Sequence, residues 1–247
     1  VKVVNDLSFS DGFRNRMSRQ GSKESDAIMN STFELVNREF SNSPTFNVVK
    51  VNGVDTDARI LDGKTGLLKN MLLRPRAKVN VGDYVEYASA LWLVFDFNGE
   101  AISPKATLQA CNEIMKWKDK NGNIIQYPTL ATATRNTKFD IASDKMQVEM
   151  LQAGVYAYLP YNESTKEIRT SQRFIFGDRV YEISGTDDLT MLDVNRVGII
   201  QFSCKITTIN DEDDFVSRIA DNEAIYRSDN GLANNESDED GGNKKLW

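Results

Sequence analysis

One pattern, used twice, limits most strongly how this chain can fold. Asp83-Tyr-Val-Glu-Tyr87, Ala-Ser-Ala90 and Leu91-Trp-Leu-Val-Phe-Asp96 read as strand, tight turn, strand. Arg173-Phe-Ile-Phe176, Gly-Asp178 and Arg179-Val-Tyr-Glu-Ile-Ser184 repeat the arrangement. Each copy runs into a polar, acid-bearing loop (residues 96–100 and 186–188) and then a third apolar run (106–111 and 198–204). Trp92 and Tyr181 fall at the same place in the two copies, and Cys111 and Cys204 nearly so. Apolar runs hinged on two-residue turns specify hairpins. A doubled β-module predicts a scaffold of two related lobes rather than one catalytic cleft.

The rest of the chain fits around these copies. Residues 1–21 read as an extended arm, in which Arg14, Arg16, Arg19 and then Lys23 follow one another without an intervening acid. Such a run is either a solvated arm or a segment that pairs with an acidic neighbour or with phosphate. Ser22 or Ser25 can cap a helix running to about Phe40. Met29, Phe33, Val36 and Phe40 lie on one face of that helix, widened by Ile28 and Leu35, and Pro44 ends it. From Phe46 the period changes to two, and Asn52-Gly53 marks a type I′ hairpin. Short strands separated by Gly and Asn turns indicate a small antiparallel barrel or sandwich.

Between the copies, residues 114–138 predict a projecting hairpin that turns at Asn121-Gly122 and bears Trp117 and Tyr127 among lysines. Those aromatics suit cross-strand packing, a protein interface, or stacking on a single-stranded nucleic acid. The second lobe follows: residues 148–161 read as a strand buried on both faces, 160–165 as a turn, and 215–219 as a short helical turn. The expected fold is mainly β, with an N-terminal arm and helix (1–45), a first lobe (46–113), the hairpin (114–138), a second lobe (139–210) and an acidic C-terminal tail (211–247). The tail holds 11 acids and 4 bases against a net charge of −6 for the whole chain, so the body is nearly neutral. Residues 228–243 have a composition unable to bury enough surface to offset chain entropy. Leu246 and Trp247 at its end are either incidental or a short docking motif.

The chain contains no histidine, which removes the commonest general base and the commonest transition-metal ligand. No Walker A loop, dinucleotide fingerprint, C-x-x-C or G-x-S-x-G is present, and the carboxylates at 187–188 and 211–214 read as solvated more readily than as a cation site. No catalytic residue, cofactor site or metal site is expected, and no membrane partner. No apolar run approaches the roughly 20 residues of a membrane helix. The N-terminus lacks a signal peptide's apolar region, so assembly in a cytoplasm is expected.

Seven features in order carry a resemblance. They are the capped helix; Val51-Asn-Gly53 running to Ile60; the hairpin from Tyr84 to Val94; and the run from Pro104 to Asn112. Then come Trp117-x-Asp119-x-x-Gly122, Pro160-Tyr-Asn-Glu-x-Thr-Lys166 and Arg173-Phe-Ile-Phe176 continuing to Tyr181-x-Ile183. Over residues 22–212 the chain resembles the head–tail connector or head-closure proteins of tailed phages of Gram-positive hosts. That resemblance implies a virion protein of the phage neck, a ring homo-oligomer below a portal or adaptor protein and above tail proteins. Such a ring closes the DNA channel after packaging and offers a docking surface for the tail, with DNA passing through it without sequence preference. Arg14, Arg16, Arg19, Lys23, Trp117, Tyr127, Leu246 and Trp247 are the candidate interface residues. A tail-completion ring and a β-rich ligand or host-surface binding module are the alternatives. A carboxylate-dependent enzyme is a further one, which would place two acids about 5–9 Å apart across a cleft.

Overall fold

Both hairpins read from the sequence form, and each belongs to a larger repeat. The computed structural model describes residues 24–133 and 154–226. The chain divides into two units, Val1–Gln109 and Ala110–Trp247. The first holds β1 (Phe46–Val51), β2 (Val54–Asp62), β3 (Leu68–Leu73), β4 (Tyr84–Tyr87), β5 (Ala90–Asn98) and β6 (Lys105–Ala110). The second holds β7 (Glu113–Lys118), β8 (Ile124–Ala133), β9 (Gly154–Pro160), β10 (Arg173–Phe176), β11 (Arg179–Asp187) and β12 (Ile199–Ile206).

The spatial order in the first unit is β4-β5-β6-β3-β2-β1, closed into a barrel by β1 against β4. In the second it is β10-β11-β12-β9-β8-β7. Each strand of the second order is the matching strand of the first advanced by six. The chain is therefore a duplicated six-stranded antiparallel unit, mainly β, preceded by a short helix. The shared hairpin agrees to the residue: β4 and β10 have 4 residues, β5 and β11 have 9. Trp92 pairs with Val85 and Tyr181 with Phe174, the equivalent rungs of the two ladders.

This corrects the expected hairpin at 114–138. Its strands are β7 and β8, the counterparts of β1 and β2, and they are part of the second sheet rather than a projection between lobes. Alternation explains the difference, because Met115 and Trp117 on one face of β7 are both buried in the second core. The unit boundary accordingly falls before the hairpin, at Gln109–Ala110. Residues 134–153 lie outside the described residues, with part of the strand expected at 148–161. What is described of it, β9, has Ala157 and Leu159 buried and the residues around them half-buried, an alternation and not burial on both faces.

Helix α1 (Glu24–Glu39) gives way to a 3-10 turn, Phe40–Asn42, and to extended backbone at Ser43 before Pro44. Ser25 lies inside it, and Ser22 lies outside the described residues. The predicted face only partly packs: Phe40 is fully buried and Phe33 and Val36 are half-buried, while Ile28, Met29 and Leu35 are exposed. At residues 160–165, where a plain turn is expected, α2 (Glu163–Lys166) forms instead. Asn162 caps it, accepting from the Ser164 and Thr165 amides, while the Thr165 hydroxyl accepts from the Asn162 amide. That reciprocal pair is the capping-box arrangement.

The turns of the two shared hairpins differ in strain. Gly177 takes the left-handed conformation of the second without steric cost, at φ 57°. In the first, Ala88 and Ser89 both sit at positive φ, 51° and 62°, the type I′ geometry that favours Asn-Gly. Left-handed backbone costs a residue with a Cβ roughly 1–2 kcal/mol. The double substitution Ala88→Asn, Ser89→Gly is expected to stabilise the first unit by about 1–2 kcal/mol, read as a higher midpoint in urea with an unchanged slope.

Candidate protein interface

Of the eight candidate interface residues, Trp117 and Tyr127 are described: Trp117 is buried in the second core and Tyr127 is half-buried against it. Trp117 is 3% exposed. Its ring stacks on Tyr127 across the β7–β8 pair, 5.8 Å between centroids, and meets Phe174 edge-on at 5.9 Å. The Tyr127 hydroxyl donates to Asn162 Oδ1 at 3.3 Å. The pair is thus the packing pair of the second core, and the readings that made it an outward interface or a stacking platform give way. Arg14, Arg16, Arg19, Lys23, Leu246 and Trp247 lie outside the described residues.

The surfaces that the structure does present are ones the sequence reading passed over. In the first unit three arginines clamp α1. Arg59 donates to the Phe40 and Glu39 carbonyls at 2.8 and 2.7 Å. Arg74 donates to the Asn37 carbonyl, its side-chain oxygen and the Ser41 hydroxyl, all within 2.9 Å, and is paired with Asp57 at 2.6 Å. Arg76 reaches Asn30 Oδ1 at 3.1 Å. The guanidinium groups of Arg59 and Arg74 lie 4.6 and 5.0 Å from the Phe40 ring centre, and that of Arg76 5.0 Å from Phe33, within cation–π range. Ile28 and Leu35 stay on the free side of the clamped helix, Ile28 60% exposed. Apolar side chains held outward on a fixed helix suit a protein neighbour.

In the second unit, three aspartates brace turns that carry aliphatic side chains outward. Asp187 accepts from the Leu189 and Thr190 amides, Asp193 from those of Asn195 and Val197, and Asp214 from those of Val216 and Ser217. Each carboxyl is held below its ordinary pKa by hydrogen bonding, chiefly from the Thr190 side chain, the Val197 amide and the Ser217 side chain respectively. Val194 and Val216, at the tips, are both 98% exposed. The turn at 214–219 is therefore not helical as expected. Asp214 and Ile219 exchange both backbone hydrogen bonds at 2.9 Å, and Arg218 takes positive φ.

Beyond β12 the chain returns across the β10 and β7 ends of its own sheet. Asp213, with a fully buried side chain, receives Arg173 through both guanidinium nitrogens at 3.1 and 2.8 Å, and also the Asn210 and Asp221 amides. A cleft of about 780 Å³ lies between this crossing segment and the tip of the β7–β8 hairpin, edged by Asp119, Lys120, Glu212 and Tyr226. Among the described residues no three Asp, Glu or Cys side chains converge as a metal site. Cys111 and Cys204 are free, and burial pushes both thiols up to about 12, leaving them protonated near neutral pH.

Against known proteins, one unit gives a match. Residues 113–205 match the family model YomX C-terminal domain. The matched stretch begins at the first residue of β7 and ends one residue short of the end of β12, so it is one complete six-stranded unit. YomX is a protein of the SPbeta phage region of Bacillus, and the match suggests a phage-associated protein. A search of curated proteins found no match. Among solved structures, MrkH, described as a c-di-GMP-dependent transcription regulatory factor, aligns over 88% of this chain and 93% of its own. Its identity is 10% and its TM-score 0.21, too low to relate the two folds. Sequence reading missed the arginine clamp, the braced turns and the crossing segment. The clamp and the crossing segment join residues far apart in the chain, for which no local pattern gives a signal. The braced turns are local and could have been found from Asp two residues before the amides it accepts.

Proposed function

We propose that this chain is a non-catalytic structural protein of a tailed-phage neck. In this reading it forms a ring between portal and tail, closes the DNA channel after packaging and offers the surface on which the tail docks. The observation that carries it is the YomX C-terminal domain match over one whole six-stranded unit, taken with the ordered motifs that resemble connector proteins. The duplication supports it further, because two units with separate cores give the chain two different surfaces for neighbours. A closed ring uses heterologous contacts, one patch of each copy meeting a different patch of the next. The outward Ile28 and Leu35 and the braced tips at Val194 and Val216 are patches of that kind. The binding-module reading loses its anchor, since Trp92 and Trp117, which would have lined a ligand cleft, are buried.

Mass photometry and negative-stain microscopy test the proposal, applied to the full chain alone and mixed with portal and tail rings from the phage that encodes it. Discrete higher-mass rings, alone or on the portal, are expected. A chain that stays monomeric in every mixture overturns the reading.

A further inference from the structure

The duplicated topology exposes a difference at one seam. In the first unit β1 and β4 close the barrel through the Lys50–Glu86 and Val51–Val85 rungs. Beyond them the Asn52 amide donates to the Tyr84 carbonyl at 2.8 Å and Asn52 Oδ1 accepts from the Tyr84 amide at 2.9 Å. In the second unit, among the described residues, the sheet ends at β7 on one side and β10 on the other, without that closing ladder. The two ends nevertheless come together, as the Trp117–Phe174 contact shows.

Residues 210–226 fill the seam. Asn222 Oδ1 accepts from the Arg173 amide at 2.7 Å while Asn222 Nδ2 donates to the Arg173 carbonyl at 2.9 Å. One side-chain amide thus stands in for the strand that β10 lacks. Arg173 opens β10 as Tyr84 opens β4, so Asn222 does at this position what Asn52 does in the first unit. The Tyr226 hydroxyl then bridges the two sides, accepting from Gln172 Nε2 at 3.3 Å and donating to the Lys118 carbonyl at the end of β7 at 2.8 Å. Asp213 pins the far end of the segment to Arg173. The apolar hold comes from Ala220, packed on Ile175 and Val180, and from the buried Ile219 beside it.

From this we infer that residues 210–226 are a clasp that replaces the missing β7–β10 ladder, and that withdrawing it opens the second unit at this seam alone. Along the clasp the Tyr226 bridge lies nearest its C-terminal end, the Asn222 pair next and the buried Asp213 pair furthest from it.

Hydrogen–deuterium exchange on the full-length protein tests it with Asn222→Ala and the milder Tyr226→Phe. A net hydrogen bond of about 0.5–1.5 kcal/mol corresponds to roughly 2–10-fold in a local opening equilibrium. Exchange in β7 and β10 peptides is expected to accelerate by about that factor, with β11, β12 and the first unit unchanged. If Asn222→Ala unfolds the whole unit, Tyr226→Phe alone decides. Unchanged exchange in β7 and β10, or acceleration spread evenly over β7–β12, overturns the clasp.

Discussion

Replacing Asp213 with alanine is expected to lower the stability of the second unit by about 3–5 kcal/mol, because it strands a largely buried guanidinium. The Arg173 side chain is only 12% exposed and the Asp213 side chain is fully buried, so water cannot readily take over the lost partner. Two further contacts separate this site from a simple ion pair. The carboxylate also accepts the Asn210 amide at 2.7 Å and the Asp221 amide at 2.9 Å. Replacing a buried pair by apolar residues of similar volume is often neutral. Here the double variant Asp213→Leu, Arg173→Met should still lose about 1–3 kcal/mol for the part-buried Asp221 amide left unpaired, while water can take over the exposed Asn210 amide. Urea unfolding of the single and double variants measures this. A double variant as stable as wild type would mean that Asp213 serves Arg173 alone.

The second large effect concerns Trp117. Truncation to alanine is expected to cost about 3–5 kcal/mol, the range for an aromatic removed from a packed core. The loss should appear as an earlier unfolding transition of the second unit, with the first unit's transition unmoved. An outward interface residue behaves in the opposite way, leaving stability intact and reducing binding. Calorimetry of Trp117→Ala therefore decides between core and interface. A variant with wild-type unfolding and impaired assembly would restore the interface role that its sequence neighbours suggested.

Trp117 marks where sequence reasoning leaves alternatives open, and of these the cross-strand packing with Tyr127 is the one that forms. The hairpins at 84–98 and 173–187 were legible because alternating apolar residues flank a two-residue turn. Both Trp92 and Tyr181 then fall where expected. The repeat itself was legible only in its second half. Asn52-Gly53 and Asn121-Gly122 both announce a hairpin turn, but the turn region at Asp119 is longer, braced by Asp119 accepting from the Asn121 and Asn123 amides. That difference, and the long stretch between β8 and β9, hid the equivalence of β7–β8 with β1–β2. A Trp-Tyr pair beside lysines has the same composition whether it faces a core or a partner. Only the closing of β7 towards β10 decides, and that contact is made across more than fifty residues of sequence.

The clasp was out of reach for a related reason. Residues 211–214 read as the start of a solvated tail, since four consecutive acids normally avoid burial. One of them, Asp213, is nonetheless fully buried, because Arg173 and two backbone amides meet it. The arginine clamp on α1 is similar. The apolar stripe predicted the helix, while Arg59, Arg74 and Arg76 determine which part of the stripe stays outside.

The neck role proposed above places this duplicated β scaffold in a ring of the phage particle. A cryo-EM map of the assembled particle at the portal tests it most directly. A ring between portal and tail in which each copy fits as two six-stranded units is the expected result. A map in which every ring between portal and tail is accounted for by other chains would contradict it.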